Sequence, residues 1–165
     1  MGVSKDNLFV KSDWWKKLSR YPMQIISRIK EATPLALQQV VNQALEDAIT
    51  RREYTDRSGN LVSSTGGAIG YDGKEIFATG FNKTTGPELQ EGQTVLGDQV
   101  GREYAREIVE EKSADDVYAA TIVAGMPYAQ YVEHKGYNVL TASQQLLEQN
   151  MGEAMVDILK EAGLK

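Results

Sequence analysis

Hydrophobic positions along this chain recur mostly at helical spacing. Leu37, Val41, Ala44, Leu45 and Ala48 fall on one face of a helix, predicted from about Pro34 to Tyr54. Upstream, Ile25, Ile26 and Ile29 start a similar stripe and predict a helix over 22–32. Thr33-Pro34 between them has the form of a restart, a capping hydroxyl followed by proline at a first helical position. Ser12 and Asp13 offer capping oxygens ahead of Trp14, Trp15 and Leu18, Tyr21-Pro22 interrupts that turn, and residues 1–11 read as a loose start. Later, Val100, Tyr104, Ile108 and Val109 predict a helix over 100–112. Leu147, Met151, Ala154, Met155, Ile158 and Leu159 predict a last helix, opened by a capping box at Thr141–Gln144 and stopped at Gly163.

Between the long helix and residue 112 the period changes. Asp72-Gly73 stands between the strand-like runs Ala68–Tyr71 and Lys74–Thr79. This predicts a hairpin, because a type I′ turn needs positive φ at both central residues. Residues 81–99, punctuated by Asn82, Gly86, Pro87, Gly92 and Gly97, read as a long loop. From Val117 to Gly125 both alternating sets of side chains are apolar, which predicts a central strand covered on both faces. Met126-Pro127 ends it, and Tyr128–Glu133 reads as one short helical turn. The expected fold is therefore α+β: a small antiparallel sheet packed against a long N-terminal helix and a C-terminal helix. A basic helical segment, 1–33, precedes a single domain, 34–165.

Composition narrows the function classes. The 165 residues suffice for one domain with a sizeable core. No run of eighteen apolar residues suggests a membrane span, and the N-terminal lysines lead into no apolar signal region. The absence of cysteine removes disulfides and thiolate metal sites, in keeping with a cytosolic life. The net charge of −5 hides an asymmetry. Residues 1–30 hold seven Lys/Arg against two Asp/Glu, and the rest eleven against twenty-one. A basic arm on an acidic body suits an acidic partner or a self-complementary assembly, and an acidic body disfavours binding duplex DNA with the whole surface.

Catalytic chemistry finds little purchase. His134 is the single histidine and lies in a Lys- and Gly-flanked stretch expected to be exposed. No paired His or Cys spacing suggests a metal. Gly67 and Gly73-Lys74 miss the spacing of a phosphate loop, and Glu75 would repel a phosphate there. Glu110-Glu111 and Asp115-Asp116 are adjacent pairs; neighbouring helical residues diverge by about 100°, so they do not face each other across a cleft as glycosidase carboxylates do. They read as solvated charges. Trp14-Trp15 beside Lys16, Lys17 and Arg20 is the most suggestive surface feature. Two adjacent tryptophans cannot both face one core, so one is available to anchor a partner; simple packing and base stacking are the other readings.

Two short segments seventy-odd positions apart carry a resemblance. The first is Asp56-Arg57-Ser58-Gly59-Asn60-Leu61-Val62-Ser63-Ser64, and the second Pro127-Tyr128-Ala129-Gln130-Tyr131-Val132-Glu133-His134-Lys135-Gly136. In order and setting they resemble the tail-completion or head–tail connector proteins of long-tailed bacteriophages, from about Pro34 to the C-terminus. In that family a helix leads to Asp-Thr-Gly-x-Leu-x-x-Ser, then a hairpin, then a strand ending in Pro-Tyr-Ala-x-Tyr-Val-Glu-x-Gly, then a last helix. This chain has one extra residue between Asp56 and Gly59 and one between Glu133 and Gly136. Residues 81–112 look like an insertion of a loop and a helix. Gly59 permits a left-handed turn, Leu61 can plug the core, Tyr128 and Tyr131 sit one turn apart, and Glu133 can accept from nearby amides.

The resemblance implies a structural virion component without cofactor or catalysis. It would be a homo-oligomeric ring at the neck, bound to portal, adaptor or tail-tube proteins, with DNA passing through an acidic lumen without specific binding and with no membrane contact. The basic segment and the long loop would make its contacts. A cytosolic binding module anchored by Trp14-Trp15, and a small hydrolase working without histidine, remain as rivals.

Overall fold

The computed structural model describes residues 9–12 and 21–164. In chain order the elements are β1 (Phe9–Ser12), α1 (Met23–Thr50), α2 (Asn60–Ser63), β2 (Thr65–Tyr71), β3 (Lys74–Gly80), α3 (Gly97–Lys112), β4 (Tyr118–Ala124), α4 (Ala129–His134) and α5 (Thr141–Glu161). The four strands form one antiparallel sheet in the order β1-β4-β2-β3. The α+β class, with α1 and α5 packed together against the sheet, is as the sequence pattern predicts.

The expected break at Thr33-Pro34 is absent. α1 is one helix of 28 residues with Pro34 inside it, so it crosses the boundary drawn at residue 33. The hydroxyl of Thr33 donates back to the Ile29 carbonyl (2.6 Å) instead of capping a new helix. Proline removes the amide that would bond the Lys30 carbonyl, but Lys30 is exposed, so water can reach that group. Burial outweighs the defect: Ile29, Thr33, Leu37, Val40, Val41, Ala44, Leu45 and Ala48 form one uninterrupted buried stripe. The helix also stops at Thr50 rather than near Tyr54. Phe9–Lys11, expected as part of a loose start, and Ser12, expected as a helix cap, instead pair with β4, from Phe9 opposite Thr121 to Ser12 opposite Tyr118.

The sheet lies between two helical layers because its two faces differ. Gly67 of β2 meets Val41 of α1, and its partner Ile122 shares that face. Gly70, on the other face, meets Val109 of α3. That second face carries Gly66, Ala68, Gly70, Ala119, Thr121 and Val123, nearly all small, and α3 sits close upon it. A Cβ on Gly101 would lie 2.2 Å from the Ser64 carbonyl oxygen, so glycine is what permits the approach. Tyr104, Ala105, Ile108 and Val109 of α3 are buried there. The segment that looked like an insertion thus supplies a whole layer of the core. β4 is fully buried along its length, as expected of a central strand. Asp72 (φ 49°) and Gly73 (φ 76°) form the predicted hairpin turn.

Candidate functional site

The two motif segments come together at the end of the sheet where β2 begins and β4 ends. The turn between α1 and β2 is built around Asp56, whose Oδ1 accepts from the Gly59 amide (2.9 Å) and Oδ2 from the Val62 amide (2.6 Å). One carboxylate thereby holds the turn and the first amides of the short helix α2. Gly59 has φ 87°, and a Cβ there would meet the Thr84 carbonyl oxygen at 1.9 Å, so both conformation and space call for glycine. Leu61 points into the core at 2% exposure, as expected of a plug.

Around this turn, short polar side chains join neighbouring elements. Asn60 Oδ1 accepts from the Leu96 and Gly97 amides (2.9 and 3.0 Å) and so holds the start of α3. Ser63 Oγ donates to the Thr84 carbonyl and accepts the Thr84 amide, pinning the loop after β3. Ser64 makes the link to the second motif. Its carbonyl accepts the Gly125 amide (3.1 Å), and its hydroxyl accepts the Met126 amide (3.3 Å) while donating to Leu61 O (2.8 Å).

Tyr128 follows, with Ser58 close to its hydroxyl. Ser58 is one of the two residues standing where the family pattern has one. Burial pushes the Tyr128 pKa up, Ser58 opposes this, and Asp56 adds to it. The Tyr54 pKa is pushed up to about 12, chiefly by burial. Neither phenol is poised to act as a base near neutral pH. Tyr131, on α4, lies across a cleft of about 410 Å³ from Tyr54, Thr55 and Arg57. Both motif tyrosines thus sit against the segment 53–58.

Glu133 does what its position suggested. Its carboxylate accepts the Leu140 amide (3.1 Å), the Thr141 amide (3.0 Å) and the Thr141 hydroxyl. This replaces the capping box expected at Thr141–Gln144. No side chain of that box caps the helix; Ser143 instead donates to Asp47 on α1 (2.8 Å), and Asn138 accepts the Ala142 amide. Gly136 turns the chain at φ 87°. Of the predicted residues, Asp56, Gly59, Leu61, Tyr128, Tyr131, Glu133 and Gly136 therefore all belong to this one end of the molecule.

Sequence reasoning passed over Tyr137 and Lys135, which line the same cleft, with the Lys135 ammonium 5.1 Å from the Tyr131 ring centre. The aromatic-next-to-glycine step at Gly136-Tyr137 was the available signal. Trp14, Trp15, Lys16, Lys17 and Arg20 lie outside the described residues. His134 is exposed at the end of α4. Among the described residues no group of three or more acidic or histidine side chains is placed to hold a metal ion. No described helix is long and apolar enough to cross a membrane.

No protein-family model, curated protein or solved structure matches this chain.

Proposed function

We propose that this chain is a structural subunit of a long-tailed phage neck, forming a ring between the head and its portal or adaptor and the tail tube. It acts in tail completion or head completion and carries no catalytic role. One observation carries the reading. The motif residues converge, and their polar groups are engaged in holding backbone: Asp56 on Gly59 and Val62, Glu133 on Leu140 and Thr141, Ser64 on Gly125 and Met126. An active site would leave such groups facing a cleft with pKa values tuned for proton transfer. Here they fix loops, which suits a subunit whose task is to present a rigid surface.

In this reading the acidic body, carrying ten more acidic than basic groups over 31–165, lines the passage. Like charge then lets DNA slide without adhering. The basic N-terminal segment and the loop 81–96 contact neighbouring copies or the adjoining ring. The protein works in the virion after assembly in the host cytoplasm.

The test is mass in solution by light scattering over a concentration series at low and high salt, with negative-stain microscopy of any large species. A discrete closed ring is expected, favoured by low salt. A strict monomer that binds one cellular protein through a surface lost on substituting Trp14 and Trp15 would replace the connector reading with the binding-module one.

A further inference from the structure

We propose that the tyrosine cleft at the motif end of the sheet is a docking site for a second copy of this chain, and that it receives the acidic turns at the opposite end. The inference rests on the ring reading and names its two mating surfaces.

The cleft has the composition of an anchoring surface. Tyr131 is 63% exposed and Tyr137 50%, and both line it with Val132, Arg57 and Lys135; Tyr128, 39% exposed, stands beside it. Scattered exposed apolar groups are normal, but aromatic rings grouped with Arg at a concavity mark contact sites. The carboxylates at this end are largely occupied. Asp56 and Glu133 hold backbone amides, and Glu53 accepts the Asn138 amide (3.2 Å). Arg57 meets Glu88 only across 3.7 Å in a solvent-exposed pair. Arg52, Arg57 and Lys135 therefore present positive charge to solvent on a body that is otherwise acidic.

The other end of the sheet is its complement. Asp72, Asp115 and Asp116 all have positive φ (49°, 60° and 60°), and the Gly73 amide donates to the Ser113 carbonyl, which brings their turns to the end of α3 that carries the exposed Glu110 and Glu111. Two of the aspartates are tied in place: Asp116 Oδ1 accepts the Tyr71 hydroxyl (2.8 Å), and the Asp116 amide reaches Asp72 Oδ1 (3.4 Å). Among the described residues, Lys74 follows the Asp72-Gly73 turn and Lys112 lies 3.2 Å from Glu111.

Topology separates the surfaces. β2 runs from Thr65 at the cleft end to Tyr71 at the acidic end, and β4 returns, so they are roughly 20 Å apart by strand rise. Two unlike, complementary patches on opposite ends make a heterologous contact, which closes into a ring or runs on as a filament, and does not make a two-fold dimer.

The test uses the full chain and sedimentation velocity at low salt, with far-UV circular dichroism confirming the fold of every variant. The cleft variant is Arg57→Glu with Lys135→Glu, and the acidic-end variant Glu110→Lys with Glu111→Lys. Each alone is expected to weaken self-association by at least ~tenfold. Mixing them in equal amounts is expected to restore association, since each retains one native surface. As a second readout in this cysteine-free chain, single variants Lys135→Cys and Glu111→Cys, mixed and oxidised, should form the mixed disulfide in excess over either homodimer. If wild type forms rings that both charge reversals leave intact, and no mixed disulfide accumulates, the docking site is wrong while the ring reading stands. If wild type stays monomeric at every concentration and no mixed disulfide forms, the docking site is wrong, and the ring reading falls with it when that monomer binds one cellular protein through Trp14 and Trp15. If the cleft variant loses binding to a DNA oligonucleotide but self-associates normally, the cleft is a nucleic-acid site and the proposal is overturned.

Discussion

Replacing Glu133 with alanine removes one carboxylate and three hydrogen bonds at the start of α5: those from the Leu140 amide, the Thr141 amide and the Thr141 hydroxyl. The magnitude follows from what water can replace. Thr141 is exposed, so its amide regains a solvent partner, whereas Leu140 is fully buried and its amide has less access. Loss of an N-terminal cap costs about 1 kcal/mol. Loss of a negative charge at the positive end of a helix costs about 0.5 kcal/mol more. A hydrogen bond to a charged acceptor is worth more than a neutral one, which brings the sum to about 2 kcal/mol. Glu133→Gln keeps an acceptor but not the charge, and should cost about 1 kcal/mol. α5 will not unravel, because Asn138 still accepts the Ala142 amide and Leu147, Met151 and Ile158 remain buried. The assay is urea unfolding followed by circular dichroism at one fixed protein concentration, with Glu148→Ala, on the exposed side of α5, as control. In a parallel thermal melt, a chain of this size should lose roughly 4–8 °C in Tm for the alanine variant. A loss within about 0.5 kcal/mol of the control would refute the capping role. It would also return Glu133 to the pool of groups free for another task.

Leu61→Ala, at a plug with 2% exposure, should cost about 3 kcal/mol in the same unfolding assay. Gly59→Ala combines an unfavourable left-handed residue with a Cβ 1.9 Å from Thr84 O; a loss of about 3 kcal/mol is expected, together with faster proteolysis in the 81–96 loop. Pro34→Ala should raise stability by about 1–3 kcal/mol, since it restores an amide to a continuous helix. Tyr54 has its pKa raised by burial from 10.0 to about 12. Its contribution is therefore fully present below pH 10 and is lost as pH rises toward about 12, because the unfolded chain releases the proton first. Tyr54→Phe should flatten the fall in unfolding free energy over that window.

The elements legible in the sequence were those whose signal is local and repeated. The stripe from Leu37 to Ala48, the Asp72-Gly73 turn and the doubly apolar run at Val117–Gly125 each repeat one physical requirement several times. Pro34 misled because a single strong local preference was weighed above phase. Ile25, Ile29, Thr33, Leu37 and Val41 are each four apart, and that unbroken phase already held the answer. β1 was illegible for a different reason. Four residues carry too little pattern for a period to be read, and their pairing is set by the neighbouring edge of β4.

The candidate site divides along the same line. Gly59, Leu61, Glu133 and Gly136 could be assigned because each has a local duty: a left-handed turn, a plug, a cap and a second turn. Ser58, Asn60 and Ser64 have duties that exist only once distant parts of the chain have met. Ser64 holds Gly125 and Met126, Asn60 holds the start of α3, and Ser58 meets Tyr128. The small-residue face of the sheet is the condition for all three. Gly97 and Gly101 let α3 settle against α2 and the Ser64 carbonyl, and that contact fixes the turn on which Ser58 stands. A side chain added on the side of α3 that makes this contact would therefore act at a distance. Gly101→Ala, whose Cβ would lie 2.2 Å from Ser64 O, should loosen the bonds from Ser64 to Gly125 and Met126 and with them the placement of Tyr128 and Tyr131. Amide hydrogen exchange at Gly125 and Met126 should then rise more than exchange within α5. Equal acceleration in both places would mean that the site moves with the whole fold and that the contact of α3 with Ser64 does not position it.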